Sequence, residues 1–460
     1  MRKMNFQSAN YEVRPGVVLS GQTTTVRIVP RGRHARFDDK LHRLTWSERR
    51  NPHQHAPEIL APDSETGYRI YFLPMQESRD PRGLEAYESV TVKPERDGSL
   101  QFQHMFTGEQ EYGLVITAEQ EKKEVLKLSI YSLLPDLYGR RVYRGDQHAH
   151  SFFSDGKEDP CVVAANYRKY GYDYMALTDH HKIYPSRLLL QAYEKVPLEL
   201  AVFTGEEVHV PYPSDIHAVN FGGKASVNEY YVDHQTECNE EIAKMAETLS
   251  KTEEAVSFDA LQVAQRIWVA QKIREFGGMP ILVHPHWINN NTYNMPDVMT
   301  DYLLKNQVYD AFELLGGLSV HENNLQTAFY HEERAKGCRI PVVGSTDSHG
   351  TEPPRCFNDI STLVYAFDPS FESLTAAIKD CYSVAVEEYQ EENQYRLHGP
   401  YRMVKYGRYL METYFPRHDE MCWEQGRLMK DYALGDPDAE EMLRLVYGRV
   451  ERYAQEFFGY

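Results

Sequence analysis

The sequence predicts an α/β fold with a small β-sandwich domain (residues 1–138), a mostly parallel β/α unit (139–385) and a helical C-terminal extension (386–460). Three observations predict it. Short apolar runs separated by Gly, Pro and Asp-Gly turns extend to about residue 133, strand and helix patterns alternate from Tyr143 onward, and amphipathic periodicity covers the final stretch. A chain of 460 residues is long enough for two or three domains.

The N-terminal runs VVLSGQTTTVRIVP, YRIYFLP, ESVTVKP, SLQFQHMF and YGLVITA are typical of antiparallel strands, and a long loop is predicted over residues 31–58. This domain is expected to act as a lid or as a contact in a homo-oligomer. In the β/α unit, one helix should begin with Asp159 as N-cap and Pro160 at the first helical position. Further helices are predicted over 257–276 and 321–336, and two or three follow in the C-terminal extension, interrupted at 435–437.

The composition describes a folded protein, with 42% hydrophobic and 26% charged residues. The formal net charge of −18 would repel a nucleic-acid backbone, so duplex binding is not expected. No stretch approaches the ~18 apolar residues that span a bilayer, so no membrane association is expected. The N-terminus lacks the apolar segment of an export signal, and the six cysteines form no CxxC pair. These features predict a cytoplasmic location.

Histidine and carboxylate side chains recur where predicted strands end. They follow RVYRGD (His148, His150, then Asp155 in a turn), YMAL (Asp179, His180), ELAVFTG (Glu206, Glu207), PILV (His284) and PVVGST (Asp347, His349). Each is weak evidence alone, because an isolated HxH pair or an Asp-Gly turn is usually incidental. Since the carboxyl ends of parallel strands meet at one mouth of a β/α barrel, the whole set predicts one shared metal site.

The ordered segments GDQHAHSFFSDG, ALTDHH, TGEE, IHAVNFGG, ILVHPHW and GSTDSHG resemble the PHP (polymerase and histidinol phosphatase) family of metallohydrolases, in particular its CehA/McbA-like branch. The resemblance covers residues 143–385. It implies a distorted (β/α)7 TIM-like barrel that holds two to three divalent metal ions.

Carried over position by position, the resemblance implies nine metal ligands: His148, His150, Asp155, His180, Glu207, His217, His284, Asp347 and His349. Glu207 is preferred to Glu206 because it lies two residues after Gly205, as in the family motif. His217 precedes its apolar run instead of ending it. The resemblance therefore requires a reversed strand or a returning loop there.

Nitrogen and oxygen donors without thiolates suit Zn, Mn or Fe. Three such ions with three carboxylates leave an excess of about three positive charges, which favours a small anionic substrate. A phosphate ester fits this excess, and metal-bound water with a pKa of about 7 would serve as the nucleophile. His181, His209 and His286 are candidates for protonating the leaving group. Lys182, Arg187 and Arg355 are candidates for binding the substrate, and Glu313 for orienting a ligand imidazole.

We therefore expect a phosphoesterase acting on a small phosphomonoester or phosphodiester. Two alternatives stay open. The same chemistry could cleave a carbamate, amide or carboxyl ester, and a domain of this kind could bind metal without catalysis.

Overall fold

The computed structural model describes residues 10–39, 65–78, 80, 82–119, 124–212, 216–252, 259–352, 357, 359–389 and 394–460. The chain forms two compact units. One comprises Arg141–Gly407 and His418–Val450, and the other comprises Arg2–Arg140, Arg408–Arg417 and Glu451–Tyr460. The domain limits near residues 138 and 385 stay predictions from the sequence.

The N-terminal unit is built from two β-sheets. Its strands are β1 (Tyr11–Arg14), β2 (Val17–Leu19), β3 (Thr23–Pro30), β4 (Tyr68–Pro74), β5 (Ser89–Val92), β6 (Leu100–Met105), β7 (Gln110–Ala118) and β8 (Glu124–Leu133). The sheet orders are β1-β3-β6 and β2-β8-β7-β4-β5. Val26 and Phe102 from one sheet share a hydrophobic cluster with Ile70 and Leu114 from the other, as in the predicted sandwich. Most of the loop predicted over 31–58 lies outside the described residues.

The larger unit is a mixed α/β structure. Its strands are β9 (Arg141–Asp146), β10 (Tyr174–Ala176), β11 (Ala201–Phe203), β12 (Gly205–Val208), β13 (Ala218–Phe221), β14 (Met279–Leu282), β15 (Ile288–Asn289), β16 (Thr292–Tyr293), β17 (Ala311–Leu315), β18 (Val342–Gly344), β19 (Ile360–Ala366), β20 (Ser383–Tyr389) and β21 (Gln394–His398).

These strands form a six-stranded sheet, β11-β10-β9-β19-β20-β21, a five-stranded sheet, β12-β13-β14-β17-β18, and the hairpin β15-β16. Strands β9 to β11 are parallel, as are β14, β17 and β18. Strands β13, β19, β20 and β21 pair antiparallel with their neighbours, so the sheets are mixed and the prediction of a mostly parallel unit was wrong. Tyr174 and Val364 of the first sheet pack in one hydrophobic cluster with Val219, Ile281 and Val343 of the second. Closure into a single (β/α)7 barrel stays a prediction.

The helices are α1 (Pro160–Lys169), α2 (Tyr184–Ala192), α3 (Val227–Asp233), α4 (Gln235–Leu249), α5 (Ala260–Glu275), α6 (Asp297–Lys305), α7 (Val320–Ala335), α8 (Phe371–Lys379), α9 (Tyr401–Thr413), α10 (Phe415–Ala433), α11 (Ala439–Val446) and α12 (Arg449–Phe458). The start of α1 confirms the predicted cap, because the Asp159 side chain accepts a hydrogen bond from the backbone N–H of Cys161. C-terminal helices begin only at Tyr401, since residues 394–398 add strand β21.

None of the helices in the described ranges combines the length and the apolar character that crossing a bilayer requires.

A buried ion network joins α10 to the sheet and to α1. The His418 ring lies with Nε2 2.8 Å from Asp173 Oδ1 and Nδ1 3.0 Å from Asp419 Oδ1. Arg168 pairs with Asp173 at 3.1 Å, and Arg144 pairs with Asp419 at 3.2 Å. Burial lowers the pKa of His418, but Asp173 and the other anionic groups outweigh it and raise the pKa well above its ordinary value.

Candidate metal centre

The loops after β9 and β18 bring four predicted ligands together. Ala149 forms a parallel bridge with Ser348, and the N–H of His150 donates to the Ser348 carbonyl at 2.9 Å. Because side chains alternate along an extended segment, the residues on either side of Ala149 share a face, as do those on either side of Ser348. His148 and His150 therefore meet Asp347 and His349 across this bridge.

A reversed strand brings His217 to the same place. Strand β13 is antiparallel to both β12 and β14, with Ala218 opposite Val208 and Leu282. The residue that precedes β13 therefore lies at the end where β12 and β14 finish, beside Glu207 and His284. This geometry supplies the reversal that the sequence resemblance requires.

All nine predicted ligands fall into four overlapping groups whose ligand atoms lie within 4.8 Å of one another. Glu207 belongs to three groups, and His209 joins one of them. The groups are His148, His150, Glu207 and Asp347; Glu207, His217 and His284; His180, Glu207 and His209; and His150, Asp155, His180 and His349.

Glu207 occupies the middle of the cluster. Its Oε1 lies 2.7 Å from His217 Nδ1 and 3.4 Å from His284 Nε2, and its Oε2 lies 2.8 Å from His180 Nδ1 and 3.4 Å from His148 Nε2. Both oxygens thus face imidazole nitrogens.

The two aspartates complete the other groups. Asp347 Oδ1 lies 2.9 Å from His150 Nε2 and 3.3 Å from His148 Nε2. Asp155 places its oxygens 3.2 Å from both His180 Nε2 and His349 Nε2. The Asp155 side chain is 55% exposed, whereas that of Glu207 is 1% exposed, so the group around Asp155 faces solvent.

The buried donor atoms fit a bound cation. His148 Nε2 and Glu207 Oε2 are buried and make no well-aligned hydrogen bond, although they lie 3.4 Å apart and Oε2 also lies 2.8 Å from His180 Nδ1. A buried polar atom without a partner is costly, and coordination of a divalent ion would satisfy both atoms at once. The nitrogen and oxygen donor set suits Zn, Mn or Fe.

The electrostatics of the cluster are dominated by its carboxylates. Burial raises the pKa of Glu207, but His148 and the neighbouring imidazoles outweigh it and hold that pKa well below its usual range. Burial lowers the pKa of His148, but Asp347, Glu313 and Glu207 outweigh it and raise that pKa well above its usual range. The carboxylates are therefore ionised and available to cations.

Two of the ligand positions have unusual backbone conformations. His284 and Asp347 have φ of 27° and 47°, in the left-handed region that non-glycine residues rarely adopt. Such conformations concentrate at functional sites, where the surrounding structure holds them in place. Both residues turn the chain at strand ends so that their side chains face the cluster.

A second layer of buried carboxylates supports the ligands. Glu313 Oε2 lies 3.0 Å from His148 Nδ1, which leaves Nε2 of that ring to face the cluster, as expected for an orienting group. Asp146, which the sequence analysis did not single out, accepts hydrogen bonds from the backbone N–H groups of His148 and Thr346. Burial raises the pKa of Asp146 to about 6. In the sequence, the position of Asp146 two residues before the HxH pair is the feature that could have indicated its role.

Glu206 has a different environment from Glu207. It is buried, and its oxygens accept hydrogen bonds from the Val227 N–H at 2.6 Å, Ser226 Oγ at 2.5 Å and Asn228 Nδ2 at 3.0 Å. These partners fix the beginning of α3 and occupy both oxygens. The preference for Glu207 as the ligand is therefore supported by geometry.

The predicted catalytic histidines occupy two environments. His209 Nε2 lies 2.7 Å from His180 Nδ1, and the His181 ring lies 4.6 Å from the His209 ring with its Nδ1 2.9 Å from Tyr212 Oη. Burial, together with His209 and His180, lowers the pKa of His181 to about 4, so this imidazole is neutral at neutral pH. His286 Nε2 instead lies 3.2 Å from Asp297 Oδ1, and His286 belongs to none of the ligand groups found among the described residues.

Two of the three cationic residues predicted to bind substrate contact backbone carbonyls. Lys182 Nζ donates to the Phe153 carbonyl at 2.8 Å, and Arg187 donates to the Lys224 carbonyl at 2.7 Å. Arg355 lies outside the described residues. Substrate binding by these side chains stays a prediction.

Comparison with solved structures finds similar chains that are described as metal-dependent phosphoesterases or as an amidohydrolase. A two-domain protein from Bacteroides vulgatus, containing a predicted PHP-like metal-dependent phosphoesterase, aligns with 55% of this chain and 67% of its own at 17% identity and a TM-score of 0.38. A candidate metal-dependent phosphoesterase from Bifidobacterium adolescentis aligns over 46% and 90% at 18% identity and a TM-score of 0.33. An amidohydrolase from Chromobacterium violaceum aligns over 46% and 88% at 16% identity and a TM-score of 0.31. No family model and no curated protein sequence matches the chain.

Proposed function

We propose that this protein is a metal-dependent phosphoesterase that hydrolyses a small phosphomonoester or phosphodiester at a di- or trinuclear site. The observation that carries the proposal is that four ligand groups share carboxylates and imidazoles, while two buried ligand atoms, His148 Nε2 and Glu207 Oε2, have no well-aligned hydrogen bond. We further propose that the larger unit is a PHP-type (β/α)7 barrel of the CehA/McbA-like branch.

Three positions for divalent ions follow from the groups. His148, His150 and Asp347 would hold one ion, His217 and His284 a second, and both would share Glu207. His180, His349 and Asp155 would hold the third, at the solvent-facing side. Bound there, Zn, Mn or Fe ions would activate water and polarise the substrate oxygens.

The charge of the site favours an anionic substrate. Three divalent ions exceed the three ligand carboxylates by about three charges, and the excess persists if buried Glu313 is also ionised. A phosphoryl group can place several oxygens among such charges, whereas a neutral carbonyl group supplies one oxygen.

The chain's own residues would position the reacting groups. Glu313 holds the His148 ring through Nδ1 so that Nε2 faces the cluster. His181 and His209 lie beside the predicted ligands and would contact the leaving group. The Tyr212 hydroxyl, 2.9 Å from His181 Nδ1, would fix the orientation of the His181 ring.

A substrate panel tests the assignment. We expect the metal-loaded protein to hydrolyse p-nitrophenyl phosphate or bis-p-nitrophenyl phosphate, and to be much slower with p-nitrophenyl acetate and a p-nitrophenyl carbamate. The release of nitrophenol is followed by absorbance. A chelator should abolish the phosphoesterase activity, and added metal should restore it. Turnover confined to the carboxyl ester or the carbamate would contradict phosphoesterase activity and favour the alternative hydrolase.

A further inference from the structure

The turn that carries Asp155 is held by two side chains that follow β10. Asp179 is buried and accepts three hydrogen bonds from the turn, from the Ser151 N–H at 2.9 Å, Ser151 Oγ at 2.8 Å and Ser154 Oγ at 2.6 Å. Lys182 donates to the Phe153 carbonyl at 2.8 Å. Residues 151, 153 and 154 of the turn are therefore all hydrogen-bonded to the segment 179–182.

The turn itself is tightly closed. The N–H groups of Ser154 and Gly156 both donate to the Ser151 carbonyl, at 3.1 and 3.0 Å. A Cβ atom at Gly156 would come within 2.7 Å of the His150 backbone, so a larger residue cannot be accommodated there without moving the chain. Asp155 lies between Ser154, which is hydrogen-bonded to Asp179, and Gly156. A shift of the turn would therefore move Asp155 as well.

Asp155 depends on this support more than the other carboxylates do. Its side chain is 55% exposed, whereas Asp347 is 18% and Glu207 is 1% exposed. Packing therefore restrains Glu207 and Asp347, but the position of Asp155 relative to His180 and His349 is set mainly by the path of the turn.

We infer that Asp179 and Lys182 form a brace that positions Asp155 for the solvent-facing metal ion, and that Lys182 is a positioning residue and does not bind the substrate phosphate. The inference rests on the proposed metal centre. Hydrogen-bonded groups behind metal ligands typically contribute about 10- to 100-fold to metal affinity. Loss of the brace should therefore weaken one ion selectively.

The direction of the change in metal affinity distinguishes the brace from simple charge repulsion. Removing a cation from the neighbourhood of divalent ions should by itself tighten their binding, because it removes like-charge repulsion. The brace predicts the opposite result for Lys182→Met. Arg187→Met is a matched control, since it also removes one positive charge but its guanidinium donates to the Lys224 carbonyl, away from the turn.

The experiment titrates the metal-free full-length protein with Mn²⁺ and counts bound ions by electron paramagnetic resonance. We expect the most weakly bound ion to lose about 10-fold in affinity in Lys182→Met, with the other sites unchanged. Arg187→Met should bind every ion as tightly as the wild type or slightly more tightly, because it removes a charge without releasing the turn. Ser154→Ala removes the hydrogen bond to Asp179 and a longer contact of Oγ with His150 Nδ1 at 3.5 Å, and it should shift the same ion in the same direction by a smaller factor.

Four outcomes would overturn either the brace or the metal centre on which it rests. If all variants bind every ion as the wild type does, or Lys182→Met binds more tightly, the brace is wrong. An increase in KM for a phosphate ester in Lys182→Met, with unchanged Mn²⁺ affinity, would also overturn it and return Lys182 to substrate binding. If the wild type binds no Mn²⁺, Zn²⁺ or Fe²⁺, the proposed metal centre fails before the brace is tested.

Discussion

Replacing Glu207 with Gln is expected to lower the turnover of a phosphate ester by about 10³-fold or more. The change removes the one carboxylate that three ligand groups share, and the amide offers a single neutral acceptor in place of two charged oxygens. Loss of several kcal/mol of charge stabilisation corresponds to this factor. The measurement is kcat/KM together with metal content by elemental analysis, both of which should fall.

The neighbouring substitution Glu206→Gln is the matched control for this prediction. It is the same chemical change in a buried residue of the same strand, but its oxygens bond to α3 and not to the ligand histidines. We expect it to lower thermal stability while the folded protein keeps its metal. Equal loss of metal in both variants would mean that Glu207 has no special place in the cluster.

Replacing His418 with Ala is expected to lower the free energy of unfolding by about 3–5 kcal/mol, the usual cost of removing one partner from a buried ion pair. The imidazole is fully buried between Asp173 and Asp419, so its removal leaves two carboxylates with one fewer partner. Chemical denaturation of the full-length protein measures the change. His331→Ala, at an exposed position on α7, should change stability little.

The contribution of His418 should also depend on pH. Because the pKa of His418 is raised in the folded state, its contribution to stability is complete at pH values below the ordinary 6.5 at which Asp173 is still ionised. The contribution is lost as the pH rises through the raised pKa. The stability difference between wild type and His418→Ala should therefore shrink at alkaline pH. A difference below about 1 kcal/mol at pH 6 would contradict the proposed network.

The convergence of the predicted ligands could be anticipated because it depends on local rules. Chemistry-bearing residues at strand ends converge when the strands are parallel, so His148, His150, His284, Asp347 and His349 could be grouped without coordinates. His217 could not be placed in this way. The direction of β13 depends on pairing with both β12 and β14, and only the family resemblance indicated a reversal.

Contacts between distant parts of the chain were not predictable. Asp173 and His418 are 245 positions apart in the sequence, and the residues around each of them do not indicate the other as a partner. Similarly, the segment 394–398 was predicted as part of the helical extension, and this was wrong, because the segment forms a strand by pairing with β20. Lys182 was a candidate for binding the substrate from its position in the sequence, and the contact of its side chain with the Phe153 carbonyl of another loop could not be predicted.

The most direct test of the metal centre is elemental analysis of the purified protein after expression with ample Zn, Mn and Fe. About two to three equivalents of divalent metal per chain are expected, because the overlapping groups offer up to three positions. The same preparation of Glu207→Gln should contain fewer equivalents. Less than about one equivalent in the wild type would contradict a multinuclear metal centre and, with it, the proposed hydrolase.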